Sequence, residues 1–239
     1  MTAWYKKNPE FFEKERRELA KASPLMGLSI MRPGFPLNRY TKLETEAVVA
    51  HGTHQVAIPN SHSHLEYKIA LLTPPNFPDR PPVMFCDDPK LPWRHNPDRH
   101  VFGQGQACLA VNAEIQLHWP PGSTLVKFLE RLVDPWIVWQ AYYDAHDEPP
   151  PWGARDHGRE GIFDFYREQW GQPLPGAFQT KAFMELLAMK KTPKGHHPCP
   201  CGSGKKLRDC HLPLVAEKWS ALDRRDVKKD LEIVKVTTE

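Results

Sequence analysis

The chain has 239 residues, of which 40% are hydrophobic and 26% charged, so it can bury a core and is not a disordered polymer. Its 25 prolines are about twice the ordinary share of ~5%, which excludes helical bundles, coiled coils and regular solenoids. The net charge of +3 is uneven: residues 1–180 carry 19 Lys/Arg against 21 Asp/Glu, and residues 181–239 carry 13 against 8.

Residues 9–22 (PEFFEKERRELAKA) predict an amphipathic helix with Pro9 near its start. Thr- and Val-containing runs at 39–50 and 54–59, parted by His51-Gly52-Thr53, predict a hairpin. Residues 66–73 alternate as a strand and stop at Pro74-Pro75, and residues 82–86 read as a short apolar strand. Four short strands with tight links predict an antiparallel meander. Residues 87–121 lack periodicity and are rich in Gly, Pro, Asn and His, which reads as one long loop, and loops of that length inside a domain tend to be functional. A helix is expected over 123–133, capped by Ser123 or Thr124, with helical character resuming over 135–146. In that second stretch Trp136, Trp139, Tyr142 and Tyr143 read as packing residues. Two further helices are expected over 160–170 and 179–191, then a cysteine-rich knot over 192–211 and a helix over 213–236 that begins at Pro213.

No apolar stretch reaches the ~18 residues of a membrane span. The first ten residues also lack the apolar core of a signal peptide, so a soluble, cytoplasmic protein is expected. Five cysteines fit that compartment, three of them crowded together.

The crowded segment is Cys199-Pro-Cys201-Gly-Ser-Gly-Lys-Lys-Leu-Arg-Asp-Cys210-His211. Cys199, Cys201, Cys210 and His211 supply the three sulfurs and one nitrogen of a closed, structural Zn2+ site. Gly202 and Gly204 let the backbone curl around an ion, and about twenty residues without a core need the metal for folding free energy. The pattern resembles the SEC-C motif, a small zinc-binding element. Gly202-Ser-Gly-Lys-Lys is not a phosphate loop, because Cys199 and Lys206 stand where the first Gly and the Ser/Thr would be.

Upstream, three motifs occur in order: Asn76-Phe-Pro-Asp-Arg-Pro-Pro-Val-Met-Phe85, then Gly105-Gln-Ala-Cys108-Leu, then Trp119-Pro before the helix at 123–133. Together they resemble the ubiquitin-conjugating enzyme family over roughly residues 5–150, which implies an α+β fold of that family's type. The implied parts are an N-terminal helix, a four-stranded antiparallel meander, a long active-site loop and C-terminal helices, with Cys108 as the thioester cysteine. Eight residues before Cys108, where the family carries the Asn of His-Pro-Asn, this chain has His100; His95-Asn96-Pro97 lies further upstream in a different order. A histidine there is similar to bacterial relatives from anti-phage operons. That likeness implies a partner, the C-terminal tail of a cGAS-like nucleotidyltransferase that makes cyclic oligonucleotides. The implied organisation is a conjugating-type domain at 1–155, a helical linker at 156–191, the zinc motif at 192–215 and a terminal helix at 216–239.

The chemistry follows from the residue types. A thiolate at Cys108 can take an acyl group and stay activated toward amines. His100 can stabilise the oxyanion or accept the amine's proton, and backbone amides near Gly105 are the other available donors. Cys86 ends an apolar strand and reads as core, as does Trp119; His62, His64, His95 and His118 read as loop or surface residues. Without an ATP motif in the chain, an adenylating enzyme or another activated acyl donor is implied. Three rivals stand beside this reading. One is a non-catalytic module of the same fold. Another is a Cys108/His100 hydrolase, for which Asp98 is too near in sequence to orient the histidine. The third, a nucleic-acid role for the basic tail, lacks an aromatic-interleaved basic strip.

Overall fold

Short apolar runs separated by prolines pair here into one sheet. A computed structural model describes residues 3–58, 63–91, 96–152, 155–156, 158–171 and 174–236. Strands β1 (Met26–Met31), β2 (Ala47–Ala57), β3 (His64–Leu72) and β4 (Val83–Cys86) lie in the order β1-β2-β3-β4, each antiparallel to the next. The architecture is α+β, with the four-stranded sheet accompanied by helices. These are α1 (Trp4–Lys7), α2 (Pro9–Ala22), α3 (Asn112–His118), α4 (Leu125–Phe128), α5 (Asp134–His146), α6 (Gly158–Trp170), α7 (Ala177–Leu187), α8 (Leu212–Ala221) and α9 (Arg224–Val236). No helix among the described residues is long and apolar enough to cross a membrane.

The chain divides into two compact units. The first comprises Met1–Leu109 and His118–Gly153, the second Ala110–Leu117 and Ala154–Glu239. In the first unit Asn8 caps α2, its side chain accepting the Phe11 N–H at 3.0 Å. Trp4, Phe11, Phe77, Trp119 and Phe128 form a chain of ring contacts 4.8 to 6.0 Å apart, and the Trp119 indole donates to the Pro78 carbonyl at 2.7 Å. Trp119 is core, as its sequence context suggested. The second unit has its own core, in which Phe163, Tyr166, Phe183, Met184, Leu187, Cys199, Leu207, Val215 and Val227 are buried together. The stretch 156–191, read from the sequence as a linker, contributes α6 and α7 to that core.

Four local expectations are corrected. His51-Gly52-Thr53 is not a turn: β2 runs straight through it, and its partner is β1, a strand the composition did not announce. Gly52 sits at φ 140°, and a Cβ there would lie 2.2 Å from the Leu25 carbonyl oxygen, so the glycine marks a close backbone approach within the sheet. Second, the long loop contains α3. Third, the helices at 123–133 and 135–146 join: α4 passes through a π turn (Leu129–Val133) directly into α5. Pro135 has no N–H to give back to the preceding turn, which accounts for the widening there. Fourth, the helix expected over 213–236 breaks at Leu222, which is extended, and Asp223 restarts it by accepting the Arg225 N–H at 2.8 Å.

Candidate functional site

Cys108 closes a folded-back loop. Asn96 pairs with Val101, Val101 with Ala107, and Gln106 with Phe85 of β4, while the Ala107 N–H donates to the Met84 carbonyl at 2.9 Å. The sheet therefore fixes the residue just before the cysteine. His100 and Cys108 are backbone partners, the Cys108 N–H reaching the His100 carbonyl at 2.8 Å. The structure thus brings together the two residues singled out in this loop. His100 adopts a left-handed conformation (φ 50°, ψ 48°), and its ring meets Trp139 of α5 edge-on at 5.2 Å.

Two clamps hold the loop, and neither was visible in the sequence. Arg99 donates to Gln140 Oε1 at 2.7 Å and Asp144 Oδ1 at 2.6 Å, and lies 4.7 Å from the Tyr143 ring centre; Gln140 donates back to the Arg99 carbonyl at 2.8 Å. On the other side, buried Asn38 and the Thr41 hydroxyl both donate to the Gln104 carbonyl, at 2.6 and 3.0 Å. These partners are 41 to 66 residues apart in the chain, beyond any local pattern. Asn96 has a structural task, its side chain accepting the Arg99 N–H at 3.2 Å; His95 lies outside the described residues.

The two cysteines of this unit differ in accessibility. Cys108 is half-buried, whereas Cys86 is 1% exposed, and burial, only partly offset by the Arg99 charge, pushes its thiol up to about 12. Cys86 belongs to the core. The N–H groups of Gly105 and Cys108 are already given to the Phe102 and His100 carbonyls, at 3.3 and 2.8 Å, so neither is free to serve as an oxyanion donor. A second polar string, Ser23 Oγ to His54 Nδ1 at 3.0 Å and His54 Nε2 to Asp134 Oδ1 at 2.6 Å, has the composition of a catalytic triad. With Ser23 only 2% exposed and His54 4%, it instead pins α2, β2 and α5 together.

The second site lies in the second unit. Residues around 197–199 and 205–207 form a narrow hairpin, with the Cys199 N–H donating to the Lys205 carbonyl and the Leu207 N–H to the His197 carbonyl, both at 2.9 Å. Gly202 and Gly204, at φ 80° and 72°, form its tip. A 3-10 turn (Leu207–Asp209) then delivers Cys210 and His211 to the start of α8. All four donor atoms lie within 4.8 Å of one another, including Cys201 Sγ to Cys210 Sγ at 3.5 Å and Cys210 Sγ to His211 Nδ1 at 3.1 Å. A tetrahedral ion with ~2.3 Å bonds to sulfur spaces its ligands by about 3.8 Å, so these separations fit one metal ion. Burial pushes Cys199 up to about 12, while hydrogen bonds from Ser203 and the neighbouring thiols outweigh burial at Cys201 and draw it down to about 6. Three sulfurs in contact cannot all ionise without a cation between them. The Trp170 ring covers His211 at 4.9 Å, and Cys199 and Leu207 are buried in the unit's core.

Asp230 of α9 was also missed. Fully buried, it accepts from the Asn112 N–H and side-chain amide, the Ala113 N–H and the Tyr166 hydroxyl, at 2.8 to 3.2 Å. It caps α3, the helix that begins four residues after Cys108. Burial pushes this carboxyl up to about 6 despite those bonds.

No curated protein is significantly similar to the chain. Residues 198–213 match the family model of the SEC-C motif, a match that spans all four metal donors and the turn between them.

Proposed function

We propose that the chain is a ubiquitin-conjugating-like transferase with a structural zinc knuckle. In this reading Cys108 takes the C-terminal acyl group of a protein, a cGAS-like nucleotidyltransferase in the antiviral setting of the relatives it resembles, and passes it to an amine. The observation that carries the reading is the contrast between the two cysteines of the first unit. Cys108 is half-buried on a loop clamped from both sides, and Cys86 is sealed in the core with a raised thiol pKa. The four-stranded antiparallel meander between α2 and α4 supports the same reading.

The Cys108 thiolate attacks the carbonyl carbon of an activated donor, a thioester or acyl-adenylate made by another enzyme. A carbon–sulfur bond forms, and the donor's thiolate or AMP leaves. A lysine amine then attacks acyl-Cys108; the carbon–nitrogen bond forms, the carbon–sulfur bond breaks, and Cys108 departs as thiolate. With the Gly105 and Cys108 amides occupied, His100 is the side chain assigned to the second step, as donor to the oxyanion or acceptor of the amine proton. In the knuckle, Cys199, Cys201, Cys210 and His211 would hold Zn2+, which supplies cross-linking and no open coordination position.

The test is the intact mass of protein co-expressed with the synthase and its activating enzyme. Wild type and Cys86→Ala are expected to carry a reductant-sensitive adduct, Cys108→Ala none, and Cys108→Ser an oxyester that resists reductant. An adduct that persists in Cys108→Ala refutes the assignment. Donor that is consumed to free acid at Cys108 without any amide product identifies a hydrolase instead.

A further inference from the structure

The positive charge of the C-terminal part is concentrated more tightly than the sequence halves suggest. Over residues 190–209, Lys190, Lys191, Lys194, Lys205, Lys206 and Arg208 face a single carboxylate, Asp209, whereas residues 181–189 and 210–239 each balance to zero. The hairpin gathers Lys194, Lys205, Lys206 and Arg208, and Lys190 and Lys191 precede it in the chain. Lys206 pairs with Pro198, the Lys205 carbonyl accepts from Cys199, and the Arg208 N–H donates to the Gly195 carbonyl at 3.1 Å. A Cβ on Gly195 would lie 2.7 Å from Arg208 Cβ, so the two arms touch there.

All six cations are exposed. Arg208 meets Asp209 at 3.4 Å, but the five lysines have no carboxylate partner among the described residues. Several cations elsewhere are paired, as in Lys6–Glu46, Lys68–Asp87, Arg99–Asp144 and Arg155–Glu114. The five lysines differ in falling within one twenty-residue segment that carries a single carboxylate. Beside them the His196 and His197 rings stack with centroids 4.6 Å apart and 25° between planes, and His196 is exposed.

We propose that this knuckle is a docking surface for single-stranded nucleic acid, RNA or DNA, independent of the chemistry at Cys108. Lysines act as point charges for successive phosphates, and an exposed imidazole face accepts an unstacked base. The stacked pair decides between polyanions. An acidic peptide satisfies the lysines but has no flat base to lay on His196, and a duplex keeps its base faces covered. The sequence objection, the missing aromatic between the basic residues, is met by this histidine pair.

The measurement is fluorescence anisotropy of the full chain with a labelled 20-nucleotide RNA of mixed sequence, a DNA strand, the DNA duplex and polyglutamate. Single strands are expected to bind tightest. With about four phosphates neutralised, the log–log salt slope should be near −3, a loss of about fiftyfold between 50 and 200 mM salt. Lys205→Glu/Lys206→Glu and Lys190→Glu/Lys191→Glu should each weaken binding about tenfold or more, and His196→Ala about fivefold or more. Cys108→Ala should bind as wild type. Thermal melting and metal content matching wild type certify that each variant is folded, and the Lys190/Lys191 pair lies outside the hairpin should the other variant fail that check. The proposal is overturned by no binding at 50 mM salt, by duplex or polyglutamate binding as tightly as single strands, or by charge-reversed proteins that bind unchanged.

Discussion

His100 carries the mechanistic weight at the level of single residues. Its position opposite Cys108 is set by one backbone hydrogen bond, and its left-handed conformation is one that asparagine adopts more readily than most residues. His100→Asn is therefore a clean substitution, whereas His100→Ala adds a modest backbone strain. If His100 acts after the thioester forms, His100→Ala should charge nearly as well as wild type but discharge to free lysine ~10²–10³-fold more slowly. His100→Asn should recover part of that rate if the role is hydrogen-bond donation, and almost none if the role is proton acceptance, because an amide has no basic nitrogen. Single-turnover discharge followed against pH separates the two. Wild-type rates in both variants would remove the side chain from the mechanism.

At the level of elements, buried carboxylates hold helix ends in each unit. Glu15, on the inner face of α2 and 1% exposed, accepts the Leu125 N–H at 2.8 Å and so caps α4; its other oxygen is buried without a partner. Burial outweighs that hydrogen bond and pushes the carboxyl up to about 7. A carboxyl raised in the folded state binds its proton more tightly there than in the unfolded chain. Its stabilising contribution is thus complete below the unfolded value of 4.5 and is lost as pH rises through about 7. Glu15→Gln keeps the acceptor and removes the titration. Relative to wild type, it should gain up to roughly 3 kcal/mol between pH 4.5 and 8, read from denaturant melts at several pH values. Parallel stability profiles for the two proteins would contradict this account.

The two units should respond differently to loss of metal. The second unit's core includes Cys199 and Leu207, and His211 begins α8, so an ion there joins the hairpin to the packing of α6 through α9. Purified protein is expected to hold about one zinc per chain. Chelation should expose amides across 195–212 and loosen α7 and α8, while β2 and β3 keep their protection in hydrogen exchange. Cys210→Ala should reproduce that pattern. Full protection of the hairpin in metal-free protein would show that the core alone holds it.

By itself the sequence determined what local chemistry controls. α2 is announced by Pro9 and an amphipathic face, β3 by its alternation, and the metal site by four donors within thirteen residues, because a helix face, a pleat and a chelate are each short-range. The candidate cysteine was likewise legible from motif order, and the accessibility that separates it from Cys86 was suggested by the apolar run ending there. Tertiary structure decided the rest. α3 exists where periodicity is absent because Asp230, 118 residues after Asn112, satisfies its first amides. Gly52 lies within a strand because Leu25 passes against it, and the loop before Cys108 keeps its shape because Asn38 and Gln140 reach it from distant segments. These are buried polar contacts and close backbone approaches, and both depend on which distant residues folding brings together.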